Sequence, residues 1–163
     1  MASNFPAYVA MGADKTNVFE FVPATGASEP FVTGSFVVLS TGESSEVEVC
    51  PTDPILILGI SEGDSAIGAT LTANGRVPIR VLTDGVIIAL GSSTTPAYTH
   101  VGNSYGITVS GTNWLLDTAK TTTSSRCRVV AVDIPKGIFY VTMHGASATA
   151  SIFQFSNIIS AVA

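Results

Sequence analysis

The stretch Arg76–Leu90, RVPIRVLTDGVIIAL, decides the fold class. From Val77 to Leu82 every second side chain is β-branched, and a period of two sends alternate side chains to opposite faces of a strand. The Asp84-Gly85 pair that follows is typical of hairpin turns, because those turns need positive φ. The sequence therefore predicts a hairpin in which Val86–Leu90 returns antiparallel. Since this second arm is apolar on both faces, one face should meet the core and the other a further layer or subunit.

Short strand patterns bounded by Gly, Pro and Ser recur along the rest of the chain. They lie at Asn17–Pro23, Phe31–Leu39, Glu46–Cys50, Ile55–Ile60, Val101–Ser110, Trp114–Asp117, Arg126–Asp133 and Ile138–Met143. No helix of ordinary length is evident, although Ser65–Leu71 is compatible with a single helical turn. This spacing predicts an all-β barrel or sandwich of short antiparallel strands with at most one short helix.

Composition bounds the class of protein. The 163 residues suit one domain, and charged residues make up only 12% of them, against about 25% in an average soluble domain. So few charges on a chain that is 46% hydrophobic indicate a surface partly covered by partners. The alternative is a monomer whose surface is covered by hydroxyl groups. The net charge of −5 and the lack of a Lys/Arg cluster argue against nucleic-acid binding.

The two ends carry most of the uncharged apolar sequence. We divide the chain into an N-terminal arm (1–14), a β-barrel domain (15–145) and a C-terminal apolar segment (146–163) that forms a final strand, a short helix or a lattice or subunit contact. The arm packs on its own domain or reaches a neighbour. It has no signal-peptide pattern, and no apolar run is long enough for a membrane span. The residues predicted to contact a partner or a sister subunit are Phe5, Tyr8, Val9, Met11, Ile152, Phe153, Phe155, Ile158 and Ile159.

Motifs for catalysis and metal binding are weak. Gly59–Gly63 matches the G-x-S-x-G nucleophile elbow, and Asp117 or Asp133 with His144 supplies the chain order of a hydrolase triad. The elbow requires a doubly wound sheet with long helices, which the flanking sequence does not predict. We therefore expect a turn at Ser61, no catalytic residues, no metal site and no cofactor, since Gly-rich phosphate loops are also absent.

Cysteines and aromatic residues give two further expectations. Cys50 and Cys127 lie far apart in sequence, and two buried free thiols are expected, with pairing as the alternative. Trp114 with Tyr105 and Tyr98 would form a sugar-stacking platform if exposed. A lone Trp in a strand is more often a core anchor, which is the role we expect.

One succession of strand and turn patterns runs through Phe31–Leu39, Ile57–Ile60, Val77–Leu82, Val101–Ile107, Trp114–Asp117 and Arg128–Asp133. This order of segments resembles that of the capsid decoration (cement) proteins of tailed bacteriophages. It implies a β-barrel or β-tulip, usually trimeric, that binds the major capsid protein on the outside of an expanded head and clamps capsomers together. It also implies a virion protein, present in the host cytoplasm during assembly, that is not an enzyme. A carbohydrate- or receptor-binding β module is the alternative.

Overall fold

The computed structural model describes residues 7–11, 18–24, 32–40, 46–52, 54–63, 76–83, 85–121 and 125–144. Within these residues the chain is all-β, with eleven strands and one 3-10 turn, as the sequence predicts. The strands are β1 (Tyr8–Met11), β2 (Val18–Pro23), β3 (Phe36–Leu39), β4 (Glu46–Val49), β5 (Gly59–Ser61), β6 (Val77–Val81), β7 (Ile87–Ser92), β8 (Ser104–Ser110), β9 (Asn113–Asp117), β10 (Cys127–Asp133) and β11 (Ile138–Met143). The 3-10 turn is Tyr98–His100. No helix in this part of the chain is long and apolar enough to cross a membrane.

The first unit is a closed barrel in the strand order β2-β4-β3-β5-β6. Strand β2 runs parallel to β4, and the other neighbouring pairs are antiparallel. Side chains from alternate strand positions fill the interior, as expected for a barrel of so few strands. This interior cluster consists of Val37, Val47, Leu58, Val77, Ile79 and Val81.

The second unit is a six-stranded sheet in the order β1-β7-β11-β10-β8-β9. A parallel pairing between β7 and β9, at Gly91 and Ser92, links the sheet back on itself. The strands β7, β11, β10, β8 and β9 therefore form a circuit of pairings, with β1 beside the first half of β7. One face of each strand in the circuit points inward, where it contributes Ile88, Leu90, Tyr105, Ile107, Trp114, Leu116, Cys127, Val129, Phe139, Val141 and Met143 to a second core.

The two units share this second core. Phe36 on β3 and Ile60 on β5 face out of the barrel and join the inward-facing residues of the second sheet. The Phe36 ring meets the Trp114 indole edge-on, with ring centroids 5.2 Å apart. Such aromatic pairs contribute about 0.5–1.5 kcal/mol beyond the area they bury. Trp114 is 1% exposed, which confirms the core-anchor prediction.

The predicted hairpin across Asp84-Gly85 is wrong. Strand β6 pairs with β2 and β5 in the barrel, whereas β7 pairs with β1, β11 and β9 in the second sheet. Gly85 does adopt the positive φ of +84° that the turn signal requires. The chain nevertheless crosses between units here, because Leu82 and Val86 on either side of the turn are both buried in the shared core.

The apolar character of β7 explains why it leaves the barrel. The stretch from Ile88 to Ser92 is buried throughout, as expected for a strand that is apolar on both faces. In the second sheet β7 has β11 on one side and β1 and β9 on the other. Strand β6 has no free edge for β7, because β2 and β5 pair with it on its two sides.

The predicted strand Ile55–Ile60 also differs from the structure. Only Gly59–Ser61 forms a strand, and Ile55 is 65% exposed. Strand β6 ends at Val81, opposite Gly59, and the hydrogen bond from the Leu82 N–H to the Leu58 carbonyl oxygen continues the contact by one residue. Ile55 and Leu56 lie beyond this paired region. In the same way, the predicted strand Phe31–Leu39 begins only at Phe36, after a turn in which Gly34 has a φ of +89°.

Three antiparallel pairings join strands that are neighbours in the sequence. Strand β3 pairs with β4, β8 pairs with β9 through the turn at Gly111-Thr112, and β10 pairs with β11 through the turn at Ile134–Gly137. In each case the connection is short and the strands alternate in polarity, so local signals suffice.

Residues Tyr8–Met11 of the predicted arm pair with β7 of their own chain. Ala7 is 3% exposed and belongs to the shared core. Of the two alternatives, this part of the arm therefore packs on its own domain. Residues 1–6 and 12–14, the predicted helical turn at Ser65–Leu71 and the C-terminal segment 146–163 lie outside the described residues.

Candidate functional site

The predicted contact residues fall into two groups. Phe5 and the five C-terminal residues Ile152, Phe153, Phe155, Ile158 and Ile159 lie outside the described residues. Tyr8 and Val9 lie on β1, and Met11 ends that strand. Tyr8 is 44% exposed, whereas Val9 packs against the shared core. Partial burial raises the pKa of the Tyr8 hydroxyl, and the neighbouring Tyr140 raises it further.

Ser61 of the G-x-S-x-G motif is not presented as a nucleophile. It ends β5, is 1% exposed and donates its hydroxyl hydrogen to the carbonyl oxygen of Gly63. The same hydroxyl oxygen accepts a hydrogen bond from the Gly63 backbone N–H. The motif therefore closes a small turn after a buried strand, which is the role predicted for it.

The acidic partners of that triad are engaged elsewhere. Asp117 accepts a hydrogen bond from the Ala119 backbone N–H and pairs with Lys120, at a nitrogen–oxygen distance of 3.9 Å. Asp133 is the last residue of β10 and pairs with Lys136 in the following turn, at a nitrogen–oxygen distance of 3.4 Å. Both carboxylates thus stabilise turns of the second sheet, while Ser61 belongs to the barrel.

The aromatic residues do not form a sugar platform. Trp114 and Tyr105 are both buried in the shared core. Tyr98 is 78% exposed, on the 3-10 turn. Two of the three rings are therefore unable to stack on a ligand.

The two cysteines are free thiols in the core, as expected. Burial raises the pKa of the Cys127 thiol to about 12, and burial followed by the nearby Glu48 carboxylate raises that of Cys50 further. The Cys127 sulfur donates to the Tyr105 carbonyl oxygen at 3.3 Å. Among the described residues no three His, Cys, Asp or Glu side chains are grouped as a metal site requires.

The raised pKa values of the two thiols predict that the protein loses stability at alkaline pH. A thiol in the unfolded chain has a pKa of about 8.5, so above that pH the unfolded state releases protons that the folded state keeps. The contribution of each protonated thiol to the free energy of unfolding is complete below about pH 8.5. Above that pH it falls by about 1.4 kcal/mol per pH unit for each thiol, until the pKa of the thiol in the folded protein is reached. Urea titrations at pH 7, 8.5 and 9.5 measure it.

Cys127→Ala provides the control for this alkaline loss. The variant should be less stable than wild type at pH 7 because it leaves a cavity, but its free energy of unfolding should fall less between pH 8.5 and 9.5. Equal slopes for the two proteins would show that Cys127 does not titrate on unfolding.

A groove of about 640 Å³ lies between the two units. Its barrel wall is formed by Ser35, Glu48, Val49, Cys50, Pro51 and Thr52, and its opposite wall by Val109, Gly111, Thr112 and Trp114. Its volume is within the range of about 300–1,000 Å³ that ligand pockets occupy.

The strand register explains how the groove forms. Glu48 and Cys50 are two residues apart and so face the same side of the chain, and Cys50 belongs to the shared core. Across the groove, Val109 lies directly opposite Trp114 in the β8–β9 hairpin. Trp114 is buried while Val109 is 37% exposed. The packed faces of the two units therefore separate at this point, and the groove opens where the shared core ends.

The loop beyond the barrel wall continues as an apolar surface. Pro51 and Thr52 are exposed, and after them Ile55 and Leu56 are 65% and 36% exposed. The Cys50 sulfur donates to the Leu56 carbonyl oxygen at 3.5 Å, which holds the loop against the groove wall. Large apolar side chains in contact with solvent are a feature of interaction surfaces when they are grouped.

Sequence reasoning missed the groove because its walls are about sixty residues apart in the chain. Glu48 lies in the predicted strand Glu46–Cys50 and Val109 in the predicted strand Val101–Ser110, so neither stands out in the sequence as a site residue. The signals that do mark the walls are the Pro51 corner and the Gly111 turn, where φ is +62°.

No family model, curated protein or solved structure matches this chain. The function is therefore inferred from the residues and geometry of the chain itself.

Proposed function

We propose that the chain is a structural capsid decoration (cement) protein that binds the outer surface of a phage head and stabilises the contacts between capsomers. Its partner is the major capsid protein, its oligomeric form a homotrimer and its location the virion. The observation that carries the proposal is the charge-poor groove between the units, continued by the exposed apolar loop at Ile55 and Leu56.

The chemistry of this surface suits a protein partner. Its lining is mostly apolar and hydroxyl-bearing, and Glu48 is the one ionised side chain among its described residues. Interface cores are likewise depleted in charged residues. Catalysis would instead require a converging set of acid, base or nucleophilic groups.

The resemblance in segment order adds support, since cement proteins clamp shells by many repeated contacts. A standard interface buries about 800 Å² per partner, and a weak contact repeated around a symmetry axis gains avidity. A closed barrel joined to a second sheet leaves few strand edges, which suits a protein present in many copies on one surface.

Head binding tests the proposal. Purified chain is mixed with expanded heads that lack decoration, from the phage that encodes it, and with unexpanded proheads as the control. We expect saturable co-sedimentation with expanded heads, weaker binding to proheads and greater resistance of the decorated heads to heat. Light scattering of the free chain should give the mass of a trimer.

Failure to bind expanded heads would contradict the proposal. If the chain does not bind phage heads but binds glycans on an array, the carbohydrate- or receptor-binding alternative is favoured. In that case Tyr98→Ala is the appropriate variant, because Tyr98 is exposed whereas Trp114 is buried.

A further inference from the structure

We propose that the groove between the units binds a basic side chain of the partner protein, a lysine or an arginine. Its aliphatic stem lies along Pro51 and Val109, and its cationic head meets the Glu48 carboxylate. This inference deepens the proposed function and rests on it for the partner's identity, but its chemistry is testable without a phage head.

The walls provide the apolar half of the site. Pro51 comes from the barrel and Val109 from the second sheet, so a chain of methylene groups entering the groove has apolar neighbours on both sides. Each CH₂ group removed from water contributes about 0.8 kcal/mol. Long basic side chains bury their stems in this way while the charged head stays near water.

Glu48 provides the polar half. It lines the groove, is half-buried, and has no ion pair with any lysine or arginine among the described residues. By contrast, the carboxylates of Glu62, Asp117 and Asp133 each have a basic partner within their own chain. A half-buried carboxylate between apolar walls attracts a cation more strongly than one in bulk water.

The hydroxyl groups complete the recognition of a cation. Ser35, Thr52 and Thr112 line the same groove and can accept hydrogen bonds from an ammonium or guanidinium group. An anionic group would instead be repelled by Glu48, and no basic side chain among the described lining residues compensates for it. The charge pattern therefore selects a cation on an apolar stem.

The direct experiment is an NMR titration of the full chain with N-acetyl-lysine methylamide. We expect shifts confined to the backbone amides of Val49, Thr52, Val109 and Thr112 and to the Trp114 indole. The norleucine analogue, which keeps the stem and lacks the charge, should bind about fivefold more weakly, the value of an exposed ion pair. Equal binding of the two would overturn the proposal in favour of an apolar ligand, and absence of shifts at the groove would overturn it outright.

Glu48→Gln is the test variant and Glu46→Gln its matched control. Both residues lie on β4 at half-buried positions two residues apart, and Glu46 does not line the groove. Glu48→Gln should lose about fivefold in lysine-analogue affinity, whereas Glu46→Gln should change it less than twofold. An equal response in the two variants would contradict the role of Glu48, and matching thermal unfolding curves would show that neither result is a folding defect.

Binding to expanded heads then separates this inference from the proposed function. If wild type and Glu46→Gln bind heads and Glu48→Gln binds them several-fold more weakly, both proposals stand. If all three proteins bind heads equally, the proposed function stands and the docking of a basic side chain fails. If wild type binds no heads while the lysine analogue still fills the groove, the cation site stands and the decoration function fails.

Discussion

Replacing Trp114 by alanine is expected to lower the free energy of unfolding by about 3–5 kcal/mol, the usual loss for a large aromatic residue removed from a core. The side chain is 1% exposed and touches Phe36 across the junction of barrel and second sheet. In a protein of this size the change should lower the Tm by roughly 10 °C. The loss should be large because the cavity falls where the two units meet.

Calorimetry of the variant beside Tyr98→Ala measures this effect. Tyr98 is 78% exposed, so its truncation should change the free energy of unfolding by less than about 0.5 kcal/mol. A Tm for Trp114→Ala within 2 °C of wild type would show that the units do not depend on this contact. The result also bears on ligand studies, since any loss of binding in Trp114→Ala would follow from the damaged core.

Replacing Gly59 by alanine is expected to cost about 3 kcal/mol, at the upper end of what overpacking costs. A Cβ atom at this position would lie 2.2 Å from the Arg80 carbonyl oxygen and 2.9 Å from the Ile79 Cγ2 atom. The first neighbour is backbone in the paired strand β6, so it cannot rotate away. Relief requires β5 and β6 to separate, which opens the closed barrel.

Gly85→Ala is the control for this substitution. A Cβ atom at Gly85 meets nothing within 4 Å, but the φ of +84° is unfavourable for alanine. It should therefore cost about 1 kcal/mol, from backbone conformation alone. Denaturant titration should rank Gly59→Ala well below Gly85→Ala in stability, and the reverse order would contradict the close approach of β5 to β6.

The sequence predicted what depends on neighbouring residues in the chain. The β8–β9 and β10–β11 pairings follow from alternating polarity and short turns, and the burial of Trp114 follows from its place in a strand. The turn signal at Asp84-Gly85 was correct for the backbone of Gly85 but wrong for the pairing of the flanking strands. A local turn motif does not determine whether its two strands stay together, because both have other possible partners in the folded chain.

The same limit explains why only part of the candidate site could be predicted from the sequence. Both thiols and the turn at Ser61 were predicted from residue type and spacing. The groove lies between residues of the barrel and residues of the second sheet, and no spacing along the chain shows that these residues come together. For the same reason the pattern of Ile55–Ile60 predicted a buried strand, although Ile55 and Leu56 are left exposed beyond the end of the neighbouring strand β6.

A cryo-EM map of expanded heads incubated with the purified chain tests the central claim most directly. We expect ordered density on the outer surface of the shell. The groove between Glu48 and Val109 should be turned toward the major capsid protein, with a basic side chain of that protein at Glu48. Bare heads at saturating chain concentration would contradict the decoration function. Decorated heads in which the groove faces solvent would contradict the assignment of the groove as the docking surface.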